Sequence, residues 1–183
     1  VFHLGEYARV EKSLEEPEIV WDLNIGGTFS VLEFCRDRGS KLVYAGSSTK
    51  FGDGGLGRDQ SPYAWSKATN TDLIENYGEW YGIDYAITYF YNVYGPGERT
   101  IEHYGTVVAT FVDRYKQGLP LQVFAGSQSR NFTHVDDIVR GLLLIGERGH
   151  GDEYGLGAQE RYTILGLAEM FDCPIEMLPG KKG

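Results

Sequence analysis

The sequence predicts an α/β fold, a largely parallel sheet with helices on both faces. Three observations carry that prediction. Short apolar runs such as "VFHL" and "LVYA" lack polar alternation, as strands covered on both faces do. Stretches with helical apolar spacing lie between those runs. Three strand-like runs, "VFHLG", "YAGSS" and "YFYN", end in polar or reactive residues. In open sheets of this kind, ligands bind just beyond the carboxyl ends of the strands.

Each element has its own justification. Residues 1–4 read as a central strand. Residues 17–38 carry Val20, Leu23, Phe29, Leu32 and Phe34 at roughly helical spacing, with Pro17 suited to a first turn and Gly39 to the stop. "KLVYAGSS" is a β-rich run that ends in small polar residues, and "DGGLGRDQSP" is a glycine-rich loop. A helix covers 63–80 and stops near Gly82. "DYAITYFYNVYGPG" is a strand that passes into a turn. A helix follows over 107–117. "LQVF" is a short strand, "VDDIVRGLLLIGE" a helix, "DEYGLG" a short strand and "TILGLAEMF" a helix. "MLPGKKG" reads as a loop. Val1 opens the chain inside what reads as a strand already under way. The expectation is therefore an internal piece of a longer protein.

The chain has 183 residues, enough for one domain with a sizeable core. Its 17 basic and 26 acidic residues leave a net charge of −9, which argues against non-specific nucleic-acid or anionic-membrane binding. No apolar run approaches the roughly 20 residues of a membrane span, and no signal-peptide pattern opens the chain. Cys35 and Cys173 match no metal-ligand spacing, so free thiols in a cytoplasmic protein are expected. No His/Cys/Asp cluster has metal spacing.

Tyr63 and Lys67 stand four apart on an expected helix, hence on one face. An ammonium near a phenol favours phenolate, which a base at neutral pH requires. A surface tyrosine beside a solvated lysine has the same spacing. Ser47 and Ser48 end a strand; they could hold a substrate hydroxyl or cap a turn. Asn92, at another strand exit, could hold a sugar hydroxyl or phosphate, or serve the turn itself. Arg130 could clamp a diphosphate or pair with Asp136 or Asp137. Those two aspartates suit a helix N-terminus. His3 reads as a strand-end or core histidine.

Taken in one order, "SSTKFG", Tyr63-x-x-x-Lys67, "YFYNVYGPG" and "RNFTHVDD" resemble the extended short-chain dehydrogenase/reductase family. More closely, the chain is similar to the NAD-dependent sugar-nucleotide epimerases and dehydratases. "VFHLGEYARVEKS" resembles that family's fourth-strand segment, "NIGGT" its Asn-x-x-Gly-Thr motif, and "DEYGLGAQERYTILGLAEMF" its substrate-domain ending. The resemblance implies a Rossmann-like doubly wound parallel sheet without its first strands, and a small C-terminal substrate-binding subdomain. Residues 1–100 would form the partial NAD-binding domain with the catalytic residues. Residues 101–183 would be mostly substrate-binding, with 121–148 interleaving with the core.

By the same resemblance, Tyr63 is the acid–base group at the sugar 4-hydroxyl, and Ser47 hydrogen-bonds that hydroxyl. Lys67 lowers the pKa of Tyr63 and binds the nicotinamide ribose. Leu4, Gly5, Asn24 and Phe90 lie along NAD. Ser48, Asn92, Gln122, Phe124 and Arg130 face the nucleotide-diphosphate sugar. The implied reaction is C4 epimerisation through a 4-keto intermediate. The family's 4,6-dehydratases usually carry Asp-Glu after the catalytic Ser/Thr; Ser48 and Thr49 stand there, which favours an epimerase or a reductase. A non-catalytic fragment that binds a sugar nucleotide or dimerises is the alternative from another class. A homodimer through the helices at 17–38 and 63–80 is the family's usual assembly. The family's glycine-rich pyrophosphate turn is missing: "GDGGLG" follows the serines and opens no helix. Tyr89 replaces the arginine that often precedes the Asn motif.

Overall fold

The computed structural model describes residues 1–98, 105–124 and 126–179. In chain order, the first part contains β1 (Phe2–His3), α1 (Val10–Ser13), α2 (Pro17–Val20), α3 (Gly27–Arg38), β2 (Leu42–Gly46), α4 (Pro62–Tyr81) and β3 (Tyr85–Phe90). Then come β4 (Val93–Tyr94), α5 (Val107–Lys116), β5 (Leu121–Phe124), β6 (Ser129–Arg130), β7 (Thr133–His134) and α6 (Val135–Arg148). The last elements are β8 (Gly151–Leu156), β9 (Tyr162–Thr163), α7 (Ile164–Glu169) and β10 (Ile175–Leu178). These elements form two units. One is Val1–Phe90 with Val139–Leu156, the other Tyr91–Ile138 with Gly157–Gly183.

The first unit holds a four-stranded sheet in the order β1-β2-β3-β8, parallel throughout. Its register pairs Phe2 with Val43, Leu42 with Tyr85 and Ala86 with Gly151. The alternation-free runs are strands because both their faces are covered. Leu42, Val43, Tyr44, Ala86 and Ile87 are all buried. Leu32, Cys35, Ile74, Tyr77 and Tyr89 form one core cluster with Leu42, Tyr44 and Ile87, so α3 and α4 pack their apolar positions on the sheet. Gly39 and Gly82 end α3 and α4 at φ 59° and φ 67°, left-handed stops that favour glycine.

The expected helix over 17–38 forms, but with a π-helical turn, Trp21–Gly26, between α2 and α3. Apolar spacing carries no mark of one extra residue per turn. The expected glycine-rich loop is also ordered differently: Ser48–Asp59 runs as 3₁₀ turns, capped by the Ser47 side chain. Small residues tolerate the tight i to i+3 bonding that a propensity argument reads as irregular. Four-residue α1 and the two-residue strands are too short to leave a periodic signature.

The second unit carries three small two-stranded sheets among its described residues. β4 and β7 pair in parallel, β6 and β9 antiparallel, and β5 pairs in parallel with β10. Phe111, Leu121, Val123 and Ala168 form its core. β10 occupies part of the stretch expected to be loop; residues 180–183 of that stretch lie outside the described residues. Val139–Leu156 returns to the first unit, while β5 pairs with β10 inside the second.

Among the described residues, no helix is long and apolar enough to cross a membrane. Nor does any group of three or more His, Cys, Asp or Glu side chains stand placed to hold a metal ion.

Candidate active site

β2 ends at Gly46, where an added Cβ would stand 2.7 Å from the Tyr89 ring, so the strand exit is packed tightly. Ser47 follows, buried, and its hydroxyl lies 2.9 Å from that of Thr49. α4 then begins from a defined start. The Ser61 hydroxyl accepts from the Ala64 amide at 3.1 Å, and Pro62 supplies a preset first turn. That start puts Tyr63 in the first turn and Lys67 one turn further along the same face. Tyr63 is half-buried there, close enough to the Ser47 side chain for Ser47 to act on its titration. Burial raises the Tyr63 pKa above its usual value; the nearby Ser47 side chain lowers it and the Glu6 charge raises it further.

Lys67 is only 5% exposed. Its ammonium donates to the Glu6 carboxylate and the Ala45 carbonyl, and lies 4.6 Å from the centre of the Tyr44 ring. Burial pulls its pKa below the ordinary lysine value, with Glu6 opposing that shift. Lys67 thus lies one turn along α4 from Tyr63, with its ammonium on the Glu6 carboxylate; the expected lowering of the Tyr63 pKa by Lys67 is not seen, because burial and Glu6 raise it.

Glu6 and its surroundings escaped sequence reasoning. Its side chain is 3% exposed and accepts from Thr28 Oγ1 at 2.8 Å, Asn70 Nδ2 at 2.8 Å and the Tyr44 hydroxyl at 3.0 Å. Two signals pointed to it. A carboxylate stands two residues past an apolar strand, and Tyr63, Lys67 and Asn70 form a polar stripe continued by the buried Ile74 and Tyr77. Polar residues on the core face of a helix mark either a site or a buried network.

The other expected cofactor residues divide. Leu4 is 51% exposed at the end of β1, a Cβ at Gly5 would find open space, and Phe90 is half-buried. Asn24 is fully buried in the π turn and committed to the protein. Its Oδ1 accepts from the Tyr7 amide at 2.7 Å, and its Nδ2 donates to the Tyr7 carbonyl and to Ser66 Oγ. It ties the segment after β1 to α4. His3 is buried as expected, 3.0 Å from Thr28 Oγ1. Its pKa is lowered by burial and by Lys67, and raised by Glu6. Tyr89 points into the core, its hydroxyl donating to Asp152 at 2.7 Å, while Lys50 pairs with the same carboxylate at 2.6 Å.

Of the expected substrate residues, Ser48 is half-buried in the first 3₁₀ turn, and the rest lie in the second unit. Asn92 adopts φ 44°, a left-handed conformation that Asn tolerates. It is exposed, and its Nδ2 donates to the Asn131 carbonyl at 3.2 Å, which brings it beside the residue after Arg130. Arg130 is exposed and donates to the Ser129 carbonyl and to Gln128 Oε1. On β5, Leu121 and Val123 face the core, so period-two alternation turns Gln122 and Phe124 the other way. Gln122 donates to Glu176 at 2.9 Å, and Phe124 is exposed.

The chain has matches among known proteins. The model of the NAD dependent epimerase/dehydratase family matches residues 1–157. The chain belongs to that family. A UDP-glucuronate 4-epimerase of Thermodesulfobacterium geofontis is 35% identical over 153 residues, 78% of this chain and 46% of that protein. A UDP-glucose 4-epimerase of Thermotoga maritima, solved with UDP-glucose, superposes with a TM-score of 0.90 at 27% identity. That match covers 100% of this chain and 65% of the solved one. A Thermus thermophilus UDP-glucose 4-epimerase in complex with NAD gives 0.82 at 29% identity, covering 100% and 66%. The chain spans about half the length of the curated relatives it matches. Family membership identifies the four-stranded parallel sheet as Rossmann-like.

Proposed function

We propose that this chain carries the chemical centre of an NAD-dependent epimerase that inverts C4 of a nucleotide-diphosphate sugar through a 4-keto intermediate. Ser47 at the exit of β2 beside Tyr63 in the first turn of α4, with buried Lys67 one turn further on the same face, is the observation that carries this proposal. Its relatives include UDP-sugar 4-epimerases.

The residues present fit the nicotinamide side of NAD. The open space at Gly5 admits a close approach, and Leu4 and Phe90 offer apolar contact. Lys67 and Tyr63 would meet the ribose. When bound, the nicotinamide supplies reversible hydride acceptance. Tyr63 takes the 4-hydroxyl proton and returns it after the sugar turns over; Ser47 holds that oxygen in line. Ser48, Asn92, Gln122, Phe124 and Arg130 would hold the nucleotide diphosphate and sugar. Asn24 would act on this site through the backbone that it ties down. Thr49 bonds Ser47, and neither Ser48 nor Thr49 is an efficient acid or base near neutral pH, which favours epimerisation over dehydration.

The test is calorimetric titration of NAD into the chain, followed by a UDP-hexose interconversion assay with NAD supplied. Reversible interconversion, abolished in Tyr63→Phe, is expected. Release of water to give a 4-keto-6-deoxy sugar would instead assign a dehydratase.

The same proposal includes a homodimer through the α2–α3 and α4 helices. Trp21, Phe29, Phe34, Trp65, Trp80 and Tyr81 are exposed on these helices and the π turn, and the Trp21 and Trp65 rings stack at 5.9 Å. The free thiols of Cys35 and Cys173 suit the cytoplasm.

A further inference from the structure

We propose that Glu6 is a positioning residue whose buried carboxylate clamps the Lys67 ammonium at the end of β2 and fixes both its place and its charge. The inference rests on the proposed role of Tyr63 and Lys67, and adds to them a counter-ion.

The geometry is specific. Lys67 has the Ala45 carbonyl, the Tyr44 ring face and Glu6 around its ammonium, and Glu6 alone among these is an anion. Glu6 is in turn held from three elements: Tyr44 on β2, Thr28 on α3 and Asn70 on α4. Asn70 Nδ2 also lies near the Asn24 carbonyl and Thr28 Oγ1, while its Oδ1 is buried without a partner. An orphaned amide oxygen is unfavourable, yet turning the amide round would aim that oxygen at the carboxylate. Asn70 is therefore arranged around a negative charge. The other titratable groups facing the pair are His3, Tyr44 and Tyr63.

The consequence is directional. Glu6 supports the proton on Lys67 and also holds the proton on Tyr63. Removing its charge while keeping its shape lets both protons go more easily. Any activity profile then moves to lower pH as a whole. Loss of packing alone would reduce the rate without moving the profile.

The first measurement is an ¹⁵N spectrum of lysine ammonium groups in the unmodified chain. A Lys67 signal protected from exchange near neutral pH is expected; a Lys67 ammonium exchanging as fast as surface lysines overturns the clamp. The second follows ¹³C-labelled lysine and tyrosine through pH in Glu6→Gln and Glu6→Asp. In Glu6→Gln, the titrations of Lys67 and Tyr63 should each fall, that of Lys67 the more, with Glu6→Asp in between. A folded Glu6→Gln with Lys67 unmoved overturns the proposal. Should that variant not fold, an unmoved Lys67 titration in Glu6→Asp overturns it instead. These signals need no turnover. A chain with the Lys67 shift and no epimerase activity would refute the functional proposal and leave Glu6 standing; an active chain without the shift does the reverse.

Discussion

In the proposed reaction, Tyr63 is the position on which the chemistry turns. Its phenol is held up by burial, so the base form grows only as pH rises. Turnover should climb through the alkaline range as the phenol loses its proton, with Lys67 deprotonation setting the upper limit. Stopped assays across that range check the sign. Tyr63→Phe should lower kcat by about 10²- to 10⁴-fold with KM little changed. Stability carries a separate pH signature. Burial raises the phenol pKa of Tyr44, Tyr63, Tyr77 and Tyr89, that of Tyr77 to about 12. Each of these folded phenols keeps its proton above the pH at which the unfolded chain loses it. Stability is thus complete below about pH 10 and falls as pH rises beyond it. Lys67, shifted downward, works in the opposite sense, but one amine stands against four phenols. Denaturant midpoints at about pH 9 and about pH 11 should show a net loss.

Two element ends place the site, and each can be cut. Ser61→Ala removes the cap of α4 and should cost about 1 kcal/mol in denaturant unfolding. Because Tyr63 sits in the first turn, activity should fall more than stability does. Gly46→Ala puts a methyl against the buried Tyr89 ring and should cost about 1–3 kcal/mol. The long elements were legible in the amino-acid order. α4 was expected over 63–80 and spans Pro62–Tyr81; α5 and α6 also lie where their spacing put them. A long amphipathic stretch repeats its signal over several turns. The π turn, the 3₁₀ run and the two-residue strands repeat nothing. They exist because tertiary contacts hold them, as Asn24 does through Tyr7 and Ser66.

Across the whole molecule, the helices beside the site expose aromatic side chains that a monomer would hydrate. The proposed dimer predicts that sedimentation of the chain gives twice the monomer mass. Charged substitutions at Phe34 and Trp80 should return it to a monomer without unfolding. A strict monomer in the unmodified chain would rule the dimer out.

The alternation of strand with helix and the shared helix face of Tyr63 and Lys67 were readable from residue order alone, because each depends on spacing along one short segment. The carboxylate at Glu6 was not. It meets its partners across separations of 22 to 64 residues, and only the packing of β1, β2, α3 and α4 brings Thr28, Tyr44, Lys67 and Asn70 to it. Local order sets which side chains share a face. Whether a buried lysine finds an anion depends on which distant segments the sheet draws together, and short-range spacing holds no record of that.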